Sequence, residues 1–514
     1  MDTHHHFLGF VLPFTIEARS GEVDLDRLLA ADSKKSAKDR LASGDFWQDV
    51  EPKHHNKDVE NLFPFLQEML GLEATPDKAH NVARFLTLSN EIHQHLFPNK
   101  SYQVLHRNRW ALACRLRFLP PELFLFDTGI GLLCLFFKVH GSTHSPEVAD
   151  LVLLAYHLRD LRLFQDVDKE TSRPVGAGDY LRKADRTYLS RCMEQGNGKT
   201  GKDIEPAKEF PHPFLGRLHQ GRSVADGSSI DFPRFNLPEL IHFLLQPLET
   251  TNELRWLINK YLIGYHFLHT DTYACSDDKA RDLFYLRKNY KDTYDAAERD
   301  LQLCDNPELV QTYRNIVFGQ SLEGGVVLVD ATDHPFYQSF PDKARHQYLL
   351  PFLLALHQRV ALIAYGIRIN RLNIEDLHAV RTLRRRIIEF VLRWQFSQLS
   401  NLTSYNRVYR NWQRVLAVET LLREIKSEVN ELDELLELEE QKCVARHWSL
   451  LNWLIFPVLI VSGVFGMNVW QFTGAGLSLS DPRFWLWVGG FFFLYYLLSY
   501  LIRRFIRRGS GTIG

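Results

Sequence analysis

The sequence predicts a mixed α+β domain, then a long stalk helix, then two C-terminal membrane-spanning helices. Three observations predict it. Strand-like and helix-like apolar runs are mixed through the first 370 or so residues. A heptad pattern without proline or glycine follows them. Two charge-free apolar segments lie near the end of the chain.

The chain has 514 residues, 61 of them basic and 62 acidic, for a formal net charge of −1. That balance gives no basic surplus for nucleic acid, so direct nucleic-acid binding is not expected. An apolar fraction of 45% with 24% charged residues excludes global disorder. A mean hydropathy of −0.22 excludes a polytopic membrane protein but leaves room for one or two spans. The cysteines Cys114, Cys134, Cys192, Cys275, Cys304 and Cys443 form no metal-binding ladder, and a reduced cytoplasmic bulk is the simplest reading. Met1 to His6 lack the basic-then-apolar order of a signal peptide. The three histidines there are set aside as a chance run or a cloning remnant, with no metal attached.

In the domain of residues 1–370, strands are expected at Phe7–Ile16, Trp110–Phe118, Glu122–Asp127, Leu132–Val139 and Gly325–Asp330. Helices are expected at Pro146–Arg162, Glu253–His269 and Lys343–Tyr365. Residues 165–233 hold eight of the 29 glycines, which marks a loop-rich insert.

The stalk is assigned to residues 371–447. Val418, Leu422, Ile425, Val429, Leu432 and Leu436 alternate steps of four and three, a seam for helices packed side by side. One helix from Tyr405 through Phe465 is expected, about 90 Å long. Acids from Glu424 to Glu440 read as a solvated face, or as partners for arginines or divalent ions. Arg381, Arg384 and Arg385 share a helix face, with Arg386 beside it. They read as exposed or salt-bridged arginines, or as a site for an anionic ligand such as a nucleotide.

Residues 448–465 form the first expected span and residues 484–502 the second. Lys442 and Arg446 precede the first, and Arg503, Arg504, Arg507 and Arg508 begin a basic tail of residues 503–514. The positive-inside rule then puts both termini in the cytoplasm and the loop of residues 466–483 outside, in an inner-membrane protein. Two spans cannot enclose a pore alone. Ala445, Ser449, Asn452, Phe456, Leu459, Gly463 and Gly466 nevertheless share one face of the first span, the small and polar one. Such a stripe suits close helix packing. Asn452 favours a partly wet face.

The outer loop opens with Gly466-Met467-Asn468, directly after the first span. A C-terminal pair of spans joined by a short loop that opens this way resembles the CorA family of magnesium and divalent cation transporters. The resemblance covers about Tyr405 to Arg508. It implies a pentameric funnel, with the first span lining the pore through Asn452, Phe456, Leu459 and Gly463. It makes Gly466, Met467 and Asn468 the pore entrance and selectivity site, where Asn468 is the metal-facing residue. A ring of amides and carbonyls there suits magnesium, which gives up its waters reluctantly. The transported or regulatory ion would be Mg2+ or another divalent cation.

Two departures bear on the function. The loop after Asn468 has no glutamate and keeps only Asp481 where the family usually places acids, and the soluble domain is larger than usual. Both are similar to the CorA-like branch encoded beside type III CRISPR systems, whose members act as phage-defence effectors in the membrane. That implies a cytoplasmic domain that senses a nucleotide second messenger. The alternatives are a housekeeping magnesium transporter regulated by intracellular magnesium, and a membrane-tethered enzyme.

No enzyme is expected. Phe126-Asp127-Thr128-Gly129 echoes an aspartic protease but has no second copy, so it reads as a turn between strands. Gly196-Asn197-Gly198-Lys199-Thr200 lacks the first glycine of a phosphate loop. Glu91-Ile92-His93-Gln94-His95 has no zinc spacing and reads as a surface helix.

Overall fold

A computed structural model of the chain describes residues 3–18, 47–50, 61–70, 82–97, 102–106, 109–140, 146–159, 161, 237–249, 252–256, 261–291, 293–373 and 376–466, and scattered positions between 482 and 497. The insert expected at residues 165–233 and the Gly196–Thr200 string lie outside the described residues. The chain divides into two units, Met1–Asn373 with Arg381–Lys426, and Ile374–Val380 with Ser427–Gly514.

The first unit is α+β and is built on one 12-stranded sheet. Its strands are β1 (Thr3–Ala18), β2 (Trp47–Asp49), β3 (Ala83–Leu88), β4 (Tyr102–His106), β5 (Arg109–Phe118) and β6 (Glu122–Phe126). They continue with β7 (Ile130–His140), β8 (Asn252–Trp256), β9 (Ile263–Thr270), β10 (Leu309–Tyr313), β11 (Ile316–Gln320) and β12 (Gly324–Asp330). The main path runs β10-β11-β12-β9-β1-β7-β6-β3-β2, and among the described strands only β12 and β9 pair in parallel. The helices are α1 (Pro64–Met69), α2 (Asn90–Leu96), α3 (Val148–Leu158), α4 (Leu237–Glu249), α5 (Ser276–Lys288) and α6 (Glu298–Leu301). Then come α7 (Pro335–Gln338), α8 (Phe340–His346), α9 (Leu349–Asn370), α10 (Leu377–Trp394), α11 (Thr403–Val415) and α12 (Val418–Gly466).

Strand β1 is central because both of its faces are apolar. Leu8, Phe10, Leu12, Phe14 and Ile16 join one core with α3, α4 and α5. On the other face Phe7 stacks on Tyr265, Tyr265 on Phe352 of α9, and Phe352 lies 4.5 Å from Trp412 of α11. Helices therefore cover both sides of the sheet. Pro13 has no N–H for a ladder. It falls in the interval where β9 has ended, at Val11 opposite Ile263, and β8 has not begun, at Phe14 opposite Trp256.

The expected strands are all present. The segment Glu253–His269, expected as a helix, is instead the end-on pair β8 and β9. Every residue of β9 is buried, so the strand reads as a continuous run without period-two alternation. Two histidines inside it further obscure the pattern. The expected helix Lys343–Tyr365 is divided into α8 and α9 at Gln347–Tyr348. Among the described residues one helical run, Pro335–Asn370, is long and apolar enough to cross a membrane. Most of it is buried inside the sheet domain, where it serves as a core helix.

The single helix expected from Tyr405 through Phe465 is broken. Helix α11 stops at Val415, and Ala417 takes a left-handed conformation (φ 54°) before α12 starts. Neither glycine nor proline marks the break, although that conformation costs a non-glycine residue about 1–2 kcal/mol. Burial of Leu416 and Trp412 beside the turn offsets this cost.

Gly325 faces the Trp412 ring. A Cβ there would lie 2.6 Å from the ring and 2.9 Å from the Gly319 carbonyl oxygen. Gly325→Ala is expected to destabilise the domain by roughly 1–3 kcal/mol through overpacking. Thermal unfolding followed by circular dichroism checks this; an unchanged Tm would mean that Trp412 moves aside freely.

Candidate functional site

Helix α12 spans 49 residues, about 73 Å, and enters the charge-free segment without a break. All six seam residues, from Val418 to Leu436, are buried within the single chain. That burial is what a seam of helices packed side by side predicts. Beyond it the pattern reverses. Leu438, Val444, Trp448, Ile455 and Leu459 are exposed, Trp448 by 64% and Leu459 by 60%.

Asn452, Phe456, Leu459 and Gly463 all lie within α12, and Gly466 is its last residue. Met467 and Asn468 lie outside the described residues. The described positions between 482 and 497 are helical, and Trp485, Leu486, Phe493 and Leu497 are exposed there.

Arg381, Arg384 and Arg385 stand on α10. The helix is amphipathic: Val380, Leu383, Ile387, Phe390 and Trp394 are buried at steps of three and four. Arg381 and Arg385 are exposed and Arg384 is half-buried. Arg385 pairs with Glu389 one turn on, at 2.9 Å. The end of α10 is fixed by the Asp127-Thr128-Gly129 string, which is a turn between β6 and β7, as expected. The Asp127 carboxylate accepts hydrogen bonds from Arg393 Nη1 and Trp394 Nε1, both at 3.0 Å. Burial raises its pKa, and these two donors pull it back down. Thr128 Oγ1 lies 2.8 Å from His357 Nε2. Complete burial holds that imidazole neutral, with its pKa lowered to about 3. The arrangement anchors the end of α10 on the turn between β6 and β7.

A further constellation sits at the ends of the parallel pair β9 and β12. The β1 register sets His5 opposite His269, with a bulge between Thr3 and His5. The two imidazoles stack with centroids 5.5 Å apart. His5 Nε2 is 3.6 Å from Asp333 Oδ1, too long for a hydrogen bond. His269 is fully buried, and one of its nitrogens, Nε2, meets the Ala331 carbonyl at 2.9 Å. His5 Nε2 and His269 Nδ1 are buried and have no hydrogen-bond partner. Burial lowers the His269 pKa, so its ring is neutral. Around them His4 Nε2 meets Asp271 Oδ1 at 2.9 Å, and Lys279 pairs with Asp330 at 2.7 Å.

No protein-family model matches the chain, and no curated protein does. Among solved structures it is similar to the structure of the full-length CmaX protein, at 16% identity. The match covers 47% of this chain and 89% of that one, with a TM-score of 0.18. A superposition of that extent leaves the functional reading resting on the residues themselves.

The described pore residues thus stand on α12 and the arginines on α10. His5, His269 and Asp333 were missed. Their only sequence signal was the histidine run near the start, and each of its members has a specific place: His6 Nε2 lies 2.8 Å from the Val139 carbonyl oxygen. Helix α2 is the surface helix expected around Glu91–His95, with Glu91 and Gln94 exposed and Ile92 buried.

Proposed function

We propose that the chain is a CorA-like cation channel of the inner membrane. Five copies would surround a pore lined by Asn452, Phe456, Leu459 and Gly463, entered at Gly466, Met467 and Asn468. Residues 448–465 and 484–502 are its two spans, and both termini are cytoplasmic. Mg2+ or another divalent cation is the cargo. The enlarged sheet domain is the sensor, and a nucleotide second messenger held by Arg381, Arg384 and Arg385 opens the pore. The role is phage defence beside a type III CRISPR system.

One observation carries this reading. Helix α12 runs unbroken into a charge-free segment whose described large side chains, Trp448, Ile455 and Leu459, are exposed in the single chain. Leaving a large apolar side chain in water forgoes about 1.5–3 kcal/mol of burial. A row of them calls for lipid or a neighbouring copy. Because the seam up to Leu436 is already buried, contacts between copies fall beyond it.

Mass measurement of the purified protein in detergent is expected to give five times the 60.0 kDa chain mass. A stable monomer or dimer would remove the pore. Conduction by reconstituted vesicles only when a nucleotide messenger is added supports the defence channel. Rescue of a magnesium-transport mutant without any messenger would instead favour the housekeeping transporter.

A further inference from the structure

We propose that His5, His269 and Asp333 bind a divalent transition-metal ion of the zinc class, which ties the start of β1 to the ends of β9 and β12. A ring nitrogen of each histidine and a carboxylate oxygen of Asp333 lie within 4.8 Å of one another. Donors about 2.0–2.1 Å from a tetrahedral ion stand roughly 3.3 Å apart. His5 and Asp333 are already at 3.6 Å.

The donor chemistry selects the ion. The Ala331 carbonyl engages His269 through Nε2, which leaves the Nδ1 lone pair for a ligand. A hydrogen bond on the far nitrogen is also what orients histidines that hold metals. His5 Nε2 is buried with no hydrogen-bond partner, and Asp333 supplies one negative charge. Two imidazoles with one carboxylate suit zinc, cobalt or a similar ion. Magnesium prefers an all-oxygen shell and competes poorly for such donors. Three protein ligands leave a fourth position for water.

The location fits a ligand site. Asp330 of β12 pairs in register with Thr270 of β9, so both parallel strands end beside the cluster. The bulge in β1 places His4 to one side, on Asp271, and sets His5 over His269.

The test uses the full chain in detergent, stripped with EDTA and never exposed to a nickel column. Titrated with Co2+, it is expected to develop the visible absorption of a tetrahedral site, saturating at one ion per chain. Zn2+ should abolish the band, and Mg2+ in about hundredfold excess should leave it. His5→Gln and Asp333→Asn should each weaken Co2+ binding at least tenfold, and His4→Gln should leave it within twofold. Circular dichroism checks that each variant is folded. If His5→Gln unfolds, Asp333→Asn carries the test, because Asp333 is exposed. The proposal fails if the wild-type chain shows no saturable band, or if the band survives in the His5→Gln/Asp333→Asn double variant. The proposed channel activity does not enter either readout.

Discussion

Asn468→Ala is expected to collapse cation flux through reconstituted vesicles at least tenfold while leaving expression and assembly intact. In a ring of five, the substitution removes five amides that face the hydrated ion. Each hydrogen bond contributes on the order of 0.5–1.5 kcal/mol, and a tenfold change in rate needs only about 1.4 kcal/mol. The substitution changes no residue of α12, Val418–Gly466. Flux measured with a Mg2+-sensitive dye, beside the oligomer mass, checks the result. Unchanged flux would reduce Gly466-Met467-Asn468 to a turn.

Replacing Arg381, Arg384 and Arg385 together with Gln is expected to weaken binding of an anionic messenger well over tenfold. Each charge-assisted pair with phosphate contributes on the order of 1.5–3 kcal/mol. The fold should survive, because the buried stripe of α10, from Val380 to Trp394, is unchanged. Arginine and glutamine also have similar helix propensities. The Arg385–Glu389 pair is lost, but it is highly exposed, and such pairs contribute little. Calorimetric titration with nucleotide messengers measures the effect. Normal affinity in the triple variant would move the sensor site away from α10. Recovery of function on reversing charges between α10 and the acids of α12 would make the arginines structural instead.

The sheet was legible where strands are apolar and rich in aromatic or β-branched residues, as in β1, β6, β7 and β12. It was not legible at β8 and β9. In β9 His266 and His269 interrupt the apolar run without leaving the core. The heptad seam was read correctly as a buried stripe. Periodicity says that a face is covered and not by which chain. The turn at Ala417 left no trace, since nothing in residue type announces a left-handed alanine. The His5, His269 and Asp333 cluster was the least accessible of all. Sheet register brings together residues from the two ends of a domain more than 300 residues long.

The central place of β1 also sets an order of events during synthesis. Among the described strands β1 is made before its partners: β7 at residues 130–140, β8 and β9 at 252–270, and, through β9, β12 at 324–330. Until then its apolar edges are bare, the condition under which nascent chains aggregate or engage chaperones. Trp448 follows Asp330 by roughly 120 residues, which takes about 6–24 s at ordinary elongation rates. The sheet therefore has time to close before the charge-free segment emerges. A chain cut short before Asp330 leaves β9 without its parallel neighbour, and the bare edge then persists.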